Sequence, residues 1–205
     1  MNTPIVLKNL EILKQSPDLT AMVTFLPGII LVQPKVYVDS RGFFLESYVK
    51  EKYEKIGIQD TFIQDNHSFS TKGTLRGLHY QVGEGQAKLV SVTRGEVFDV
   101  AVDIRPKSPT FGKWIGIYLS EKNHKQIYIP VGFAHGFCVL SDTAEVMYKC
   151  SSLYSPMDER GIMWNDPDVE IMWPVKRPVL SERDKSNDSF KNLSINSENI
   201  LNRRP

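Results

Sequence analysis

The sequence predicts an all-β domain, a sandwich or barrel, on three observations. Short runs rich in β-branched and aromatic residues recur through the middle of the chain. Turn formers separate them, from Asp39-Ser40-Arg41-Gly42 through Gly95 to the corner Arg105-Pro106-Lys107-Ser108-Pro109. The spacing leaves no room for regular crossover helices, so the strands pair directly and do not form a parallel βαβ sheet.

Taken in order, residues 1–25 read as a poorly patterned N-terminal extension with helical spacing over Val6 to Lys14. Residues 26–185 form the body. Ile29 to Val38 is apolar and β-branched, and Gly42 to Tyr48 follows a turn. Val49 to Ile56 reads as a short helix. Thr61 to Ser70, Leu75 to Gln81, Ala87 to Thr93 and Glu96 to Ile104 read as strands. Trp114 to Leu119, Gln126 to Ile129, Gly136 to Leu140 and Ala144 to Cys150 complete the set. Residues 186–205 are a polar tail that begins as a short helix and then frays, ending in Arg203-Arg204-Pro205.

Composition excludes several classes. A net charge of +1 argues against nucleic acid as partner, so any anion recognition is local. The longest apolar stretch, Phe25 to Val32, is broken by Pro27 and Gly28 and is too short to span a bilayer. The first residues lack a secretory core, so a cytoplasmic location is expected. Cys138 and Cys150 each sit in a strand-like run and read as free buried thiols. No GxGxxG fingerprint is present, and no cofactor is expected.

The stretch Gly77 to Gly95 is the most informative. Double-stranded β-helix barrels of the cupin type carry metal ligands at HxH and at a following glutamate. Here His79 remains, Gln81 takes the second histidine position and Lys88 the glutamate position. A lysine there repels a metal cation and suits an anion or a developing negative charge. The second half of the pattern, Ile129 to His135, matches PxGxxH, and Val139 takes the later asparagine position. A cupin-like jelly-roll barrel with short peripheral helices and no metal is expected.

The segments DSRGFFLESY, QDNHSFSTKGTLRGLHYQ, QAKLVSVTRGEVFDVAVDIRPKSPTFGKW, IPVGFAHGFCVLSDTAEVMYKC, WNDPDVEIMWP and LSERD follow one another in order. In them the chain resembles the dTDP-4-dehydrorhamnose 3,5-epimerase family, over about Ile29 to Asp184. The resemblance implies a dTDP-4-keto-6-deoxyhexose substrate whose C3 and C5 hydrogens are acidified by the C4 ketone. It implies cofactor-free inversion at both carbons on the route to dTDP-L-rhamnose. It also implies a homodimer with exchanged N-terminal strands.

On that resemblance His79 is the base, paired with the Asp184 carboxylate, and Tyr148 is the acid on the opposite face. Lys88 stabilises the enolate oxygen. Arg76 holds the diphosphate, and Arg41 does so from the partner subunit. Phe44 and Glu46 meet the nucleotide base and Tyr154 packs on the thymine. His135 lies near the sugar. Gln64, Asn66 and Ser68 alternate and so share one face that suits a pocket wall. Arg76 and His79, three apart, share a side only across a bulge. His67 and His124 read as surface residues. Read singly, each has a plainer role: His79 a packed strand histidine, Tyr148 a core aromatic, Lys88 a lysine at a strand end, Asp184 a helix N-cap, Arg41 a solvated turn residue.

Three departures stand out: the long N-terminal extension, Val131 where the family commonly has an acid, and the polar tail. The alternatives are a single-centre epimerase, a 3,4-ketoisomerase of the same barrel and a non-catalytic sugar-nucleotide binder. A degenerate binder is expected to have lost His79, Tyr148 or Lys88, and all three are present. Gln81, Lys88 and Val139 disfavour a metal-dependent oxygenase.

Overall fold

The computed structural model describes residues 10–193. The strands are β1 (Glu11–Gln15), β2 (Leu19–Val23), β3 (Ile30–Pro34), β4 (Val36–Asp39), β5 (Gly42–Leu45), β6 (Gln64–Thr71) and β7 (Leu75–Gln81). They continue as β8 (Lys88–Arg94), β9 (Glu96–Asp103), β10 (Trp114–Ser120), β11 (Gln126–Ile129), β12 (Phe133–Val139), β13 (Thr143–Cys150) and β14 (Glu159–Gly161). The short helices α1 (Lys50–Lys55) and α2 (Glu182–Lys185) lie outside the sheets.

One sheet runs β1-β2-β3-β11-β8-β13-β6 and the other β10-β9-β12-β7-β14, with every named pair antiparallel. The sheets face each other across a core that includes Leu31, Val90, Val97, Ala101, Ile117, Ile127, Phe137 and Val146. This is the cupin-like jelly roll expected from the short strands and the motif at Gly77 to Gly95. β9 and β12 are buried on both faces. Their outer residues, Phe98, Val100, Val102 and Ala134, pack beneath the C-terminal segment, which contributes Ile162, Phe190 and Leu193.

Strand periodicity decides what points inward. In β13, Ala144 and Val146 reach the core, so Tyr148 and Cys150 share their face. In β8, Val90 and Val92 do the same for Lys88. In β12, Phe133, Phe137 and Val139 carry His135 inward, and in β9 Val97 and Ala101 carry Asp99. In β7, Leu78 and Tyr80 pack on the outer cluster, leaving His79 inside. Each inward stripe is mostly apolar with a polar residue set into it, at the strand end in β8 and within the strand in β9 and β12. The site grows from those polar positions.

Several expectations are corrected. The helix expected over Val6 to Lys14 is a strand from Glu11, and its first residues lie outside the described ones. β2 is no loose extension: Leu19 and Ala21 are buried against Ile30, Val32 and Tyr53 of α1, so the body starts before residue 26. Ile29 to Val38 divides after Pro34, which lacks the N–H needed to continue a ladder. The polar tail starts later than residue 186, because Phe190 and Leu193 are buried; its terminal arginines lie outside the described residues. Cys138 and Cys150 are free and buried. No helix among the described residues is long and apolar enough to cross a membrane.

Candidate active site

A cavity of about 310 Å³ opens where the polar residues of the inward stripes meet. His79, Lys88, Tyr148 and Asp184 all line it, with Asn66, Ser68, Arg76, His135 and Tyr154. His79 and His135 come from the five-stranded sheet, and Lys88, Tyr148, Asn66 and Ser68 from the seven-stranded sheet. The cavity therefore has two walls, one from each sheet.

His79 Nε2 lies 2.6 Å from Asp184 Oδ1. Asp184 is brought there by α2, where Ser181 is the N-cap: its hydroxyl accepts from Asp184 N at 3.1 Å and donates to Asp184 Oδ2 at 2.9 Å. Burial alone raises the Asp184 carboxyl, but hydrogen bonds from His79 and Ser181 outweigh it and hold it below its ordinary value. An ionised Asp184 fixes the hydrogen on Nε2 and leaves the Nδ1 lone pair free. Nδ1 faces Glu159 Oε1 at 4.0 Å.

Across the cavity, burial raises the Tyr148 phenol, so it stays protonated at neutral pH. Burial lowers the Lys88 ammonium, opposed by the charges of Cys150, Glu159 and Asp99. His135 sits opposite His79 in the β7–β12 register, and its Nε2 is 2.8 Å from the fully buried Asp99.

Arg76 reaches the same cavity as His79 because β7 bulges: its step from His79 to Arg76 matches the shorter step from His135 to Phe137 on β12. Gly77 takes φ +124° there, and a Cβ on it would lie 2.6 Å from Gly136 Cα. Arg76 is held by Nε donating to Ser70 Oγ at 3.0 Å.

Four expected residues do not line the cavity of this chain. Arg41 pairs with Asp39 and is 88% exposed, Phe44 is exposed, and Glu46 pairs with Lys52 at 2.8 Å. All three belong to the β4–β5 ribbon or its exit, and those strands pair only with each other. Gln64 stands behind the wall, its side-chain oxygen accepting from Tyr154 N at 2.8 Å. His67 is exposed and pairs with Glu145, as its surface reading requires.

Sequence reasoning missed Glu159, Arg183, Asp99 and Gln86. Glu159 is on the three-residue β14 and accepts from Tyr154 Oη at 2.7 Å and from Arg183. Burial raises its carboxyl, yet hydrogen bonds from Arg183 and Tyr154 hold it below the ordinary range. Only the parity of Asp99 with Val97 and Ala101 offered a signal. Among the described residues, no group of three His, Cys, Asp or Glu side chains converges to hold a metal.

The dTDP-4-dehydrorhamnose 3,5-epimerase family model matches residues 23–192. The chain belongs to the dTDP-4-dehydrorhamnose 3,5-epimerase family. A family relative from Shigella flexneri, named dTDP-4-dehydrorhamnose 3,5-epimerase, is 55% identical over 82% of this chain and 93% of its own. The epimerase from Legionella pneumophila Philadelphia 1, solved with dTDP-4-keto-L-rhamnose, superposes with a TM-score of 0.85 at 46% identity. That match covers 91% of this chain and all of the other. A 3′-monoepimerase from Streptomyces bikiniensis, solved with dTDP-quinovose, reaches a TM-score of 0.77 at 33% identity, over 85% of this chain and 88% of its own. The epimerase family thus shares its fold with single-centre enzymes, and chemistry has to be read from the cavity.

Proposed function

We propose that this protein inverts C3 and C5 of dTDP-4-keto-6-deoxy-D-glucose to give dTDP-4-keto-L-rhamnose. The observation that carries this reading is the placing of the His79–Asp184 pair on one sheet's side of the cavity and Tyr148 on the other's. His79 Nδ1 takes the proton from the carbon next to the ketone, and the electron pair moves onto the C4 oxygen. The Lys88 ammonium stabilises that oxyanion. Tyr148 then delivers a proton to the opposite face, and solvent restores both groups. C3 and C5 flank one ketone, so one oxyanion site serves both abstractions.

Arg76 suits the diphosphate, with a planar fork that matches phosphate oxygens. Tyr154, half-exposed at the mouth, offers a stacking face to the thymine. His135, Asn66 and Ser68 supply hydrogen bonds toward the sugar. Arg41, Phe44 and Glu46 reach a substrate only from a second copy of the chain, and this supports a homodimer. The cytoplasm suits two free thiols.

The test is proton NMR of dTDP-4-keto-6-deoxyglucose incubated with the protein in D2O. Deuterium entering at both C3 and C5, and at neither with His79→Asn, is the expected result. Deuterium at C3 alone identifies a single-centre enzyme. Exchange at neither carbon, beside an active control enzyme, overturns the reading.

A further inference from the structure

We infer that Gln81 is a positioning residue for the nucleotide subsite, its carboxamide clamping the backbone on both sides of Tyr154. The inference rests on Tyr154 being the nucleobase contact proposed above. Gln81 closes β7, two residues beyond His79. Its Oε1 accepts from Ser155 N at 2.8 Å, and its Nε2 donates to Leu153 O at 3.3 Å. One side chain thus satisfies a donor and an acceptor that flank the tyrosine, as a neighbouring strand would.

The clamp matters because this segment is held by separate hydrogen bonds and not by a strand ladder: Ser151 and Ser152 bond to Ala87 and Gly85, and Gln81 alone bonds both residues that flank Tyr154. Residues 151–155 belong to no strand or helix, and Tyr154 itself is 49% exposed. Its ring is held at two points, the backbone that Gln81 brackets and the hydroxyl that donates to Glu159 at 2.7 Å. Gln86 and Gln64 assist: Gln86 Nε2 donates to Ser152 O at 2.9 Å, and Gln64 Oε1 accepts from Tyr154 N. A carboxamide carries the needed donor and acceptor together, on two atoms that can face opposite ways along the backbone. A carboxylate at residue 81 keeps the bond from Ser155 N but turns an anion toward the Leu153 carbonyl. The position that would hold a metal ligand in a metal-binding barrel of this type serves here to fix a loop.

A loop freed of its clamp spends only part of its time with Tyr154 in place, and apparent affinity falls by that fraction. The His79–Asp184 bond touches none of the clamp atoms, so turnover of bound substrate is spared. Binding of dTDP is measured by calorimetry, and kcat and KM with the keto-sugar nucleotide, for Gln81→Met, Gln81→Glu, Tyr154→Ala and the double variant Gln81→Met/Tyr154→Ala. Gln81→Met is expected to weaken dTDP by roughly tenfold and to raise KM similarly, with kcat within about twofold. Gln81→Glu weakens it at least as much. In the Tyr154→Ala background Gln81→Met adds nothing further, because its effect passes through the ring.

Unchanged dTDP affinity in folded Gln81→Met, a fall in kcat at unchanged affinity, or effects that multiply in the double variant each overturn the inference. Failure of the nucleobase reading shows separately, as Tyr154→Ala binding dTDP like the native protein. Should Gln81→Met not fold, Gln81→Asn keeps the amide, shortens its reach and is held to the same outcomes.

Discussion

Two protons set the upper pH limit of this site, one on Lys88 and one on Tyr148. Both must be present for the proposed chemistry, and burial moves them in opposite directions. The ammonium is lowered because its charged form is the desolvated one; the phenol is raised because its charged form is the anion. As pH rises, the Lys88 proton is lost below the ordinary lysine range, while Tyr148 keeps its proton past the ordinary tyrosine range. The basic limb of kcat is expected below the ordinary lysine value of ~10.4, and at the same pH in Tyr148→Phe, whose residual rate is lower. A limb that moves in Tyr148→Phe would show that the phenol sets it. Asp184→Asn keeps the shape of the His79 pair but removes the anion that fixes the imidazole tautomer. A loss on the order of 10²–10⁴-fold in kcat is expected, with urea unfolding to show that the variant is folded. Because Asp184 is held below its unfolded value, its contribution to stability is present above that value and is lost as pH falls through the folded one.

At the scale of elements, the bulge in β7 is the most demanding feature. Gly77→Ala places a methyl 2.7 Å from His135 O at a backbone angle that side chains rarely adopt. The strain alone costs about 1–3 kcal/mol, and relief by shifting β12 would displace His135 from His79. Urea unfolding should show a lowered midpoint, and activity should fall by more than the unfolded fraction explains. β7 and β11 were legible to the residue because turn formers or a sharp polarity change mark their ends. β1 and β2 were not, since an exposed run such as Glu11 to Gln15 carries no inward stripe and pairs only because β2 offers an edge. β14 is three residues long and exists through its pairing with β7. His79 and Lys88 could be read from the barrel motif, and Tyr148 only by resemblance. Glu159 and Arg183 lie in polar segments whose approach to the cavity is purely tertiary, and Asp184 was placed only by resemblance.

For the whole molecule, the β4–β5 ribbon is the feature that a single chain leaves unexplained. Tyr37, Val38, Phe43 and Phe44 are all exposed on it, while Arg41 at its tip pairs only with Asp39. An apolar ribbon with a basic tip suits insertion against a second copy near its cavity. Sedimentation equilibrium is expected to give about twice the 23.4 kDa chain mass, and Phe44→Asp should shift it toward one chain with weakened substrate binding. A monomeric Phe44→Asp that keeps full affinity would rule out a contribution in trans. The two buried thiols offer one more reading of the whole. Cys138 lies in the five-stranded sheet and Cys150 in the seven-stranded one, where Asn66 of the cavity wall donates to its sulfur. Neither meets solvent while its strand is closed, so each reacts with a thiol reagent only as fast as its own sheet opens. The protein thus carries two stopwatches, and substrate that slows Cys150 while leaving Cys138 unchanged would time the breathing of one wall against the other.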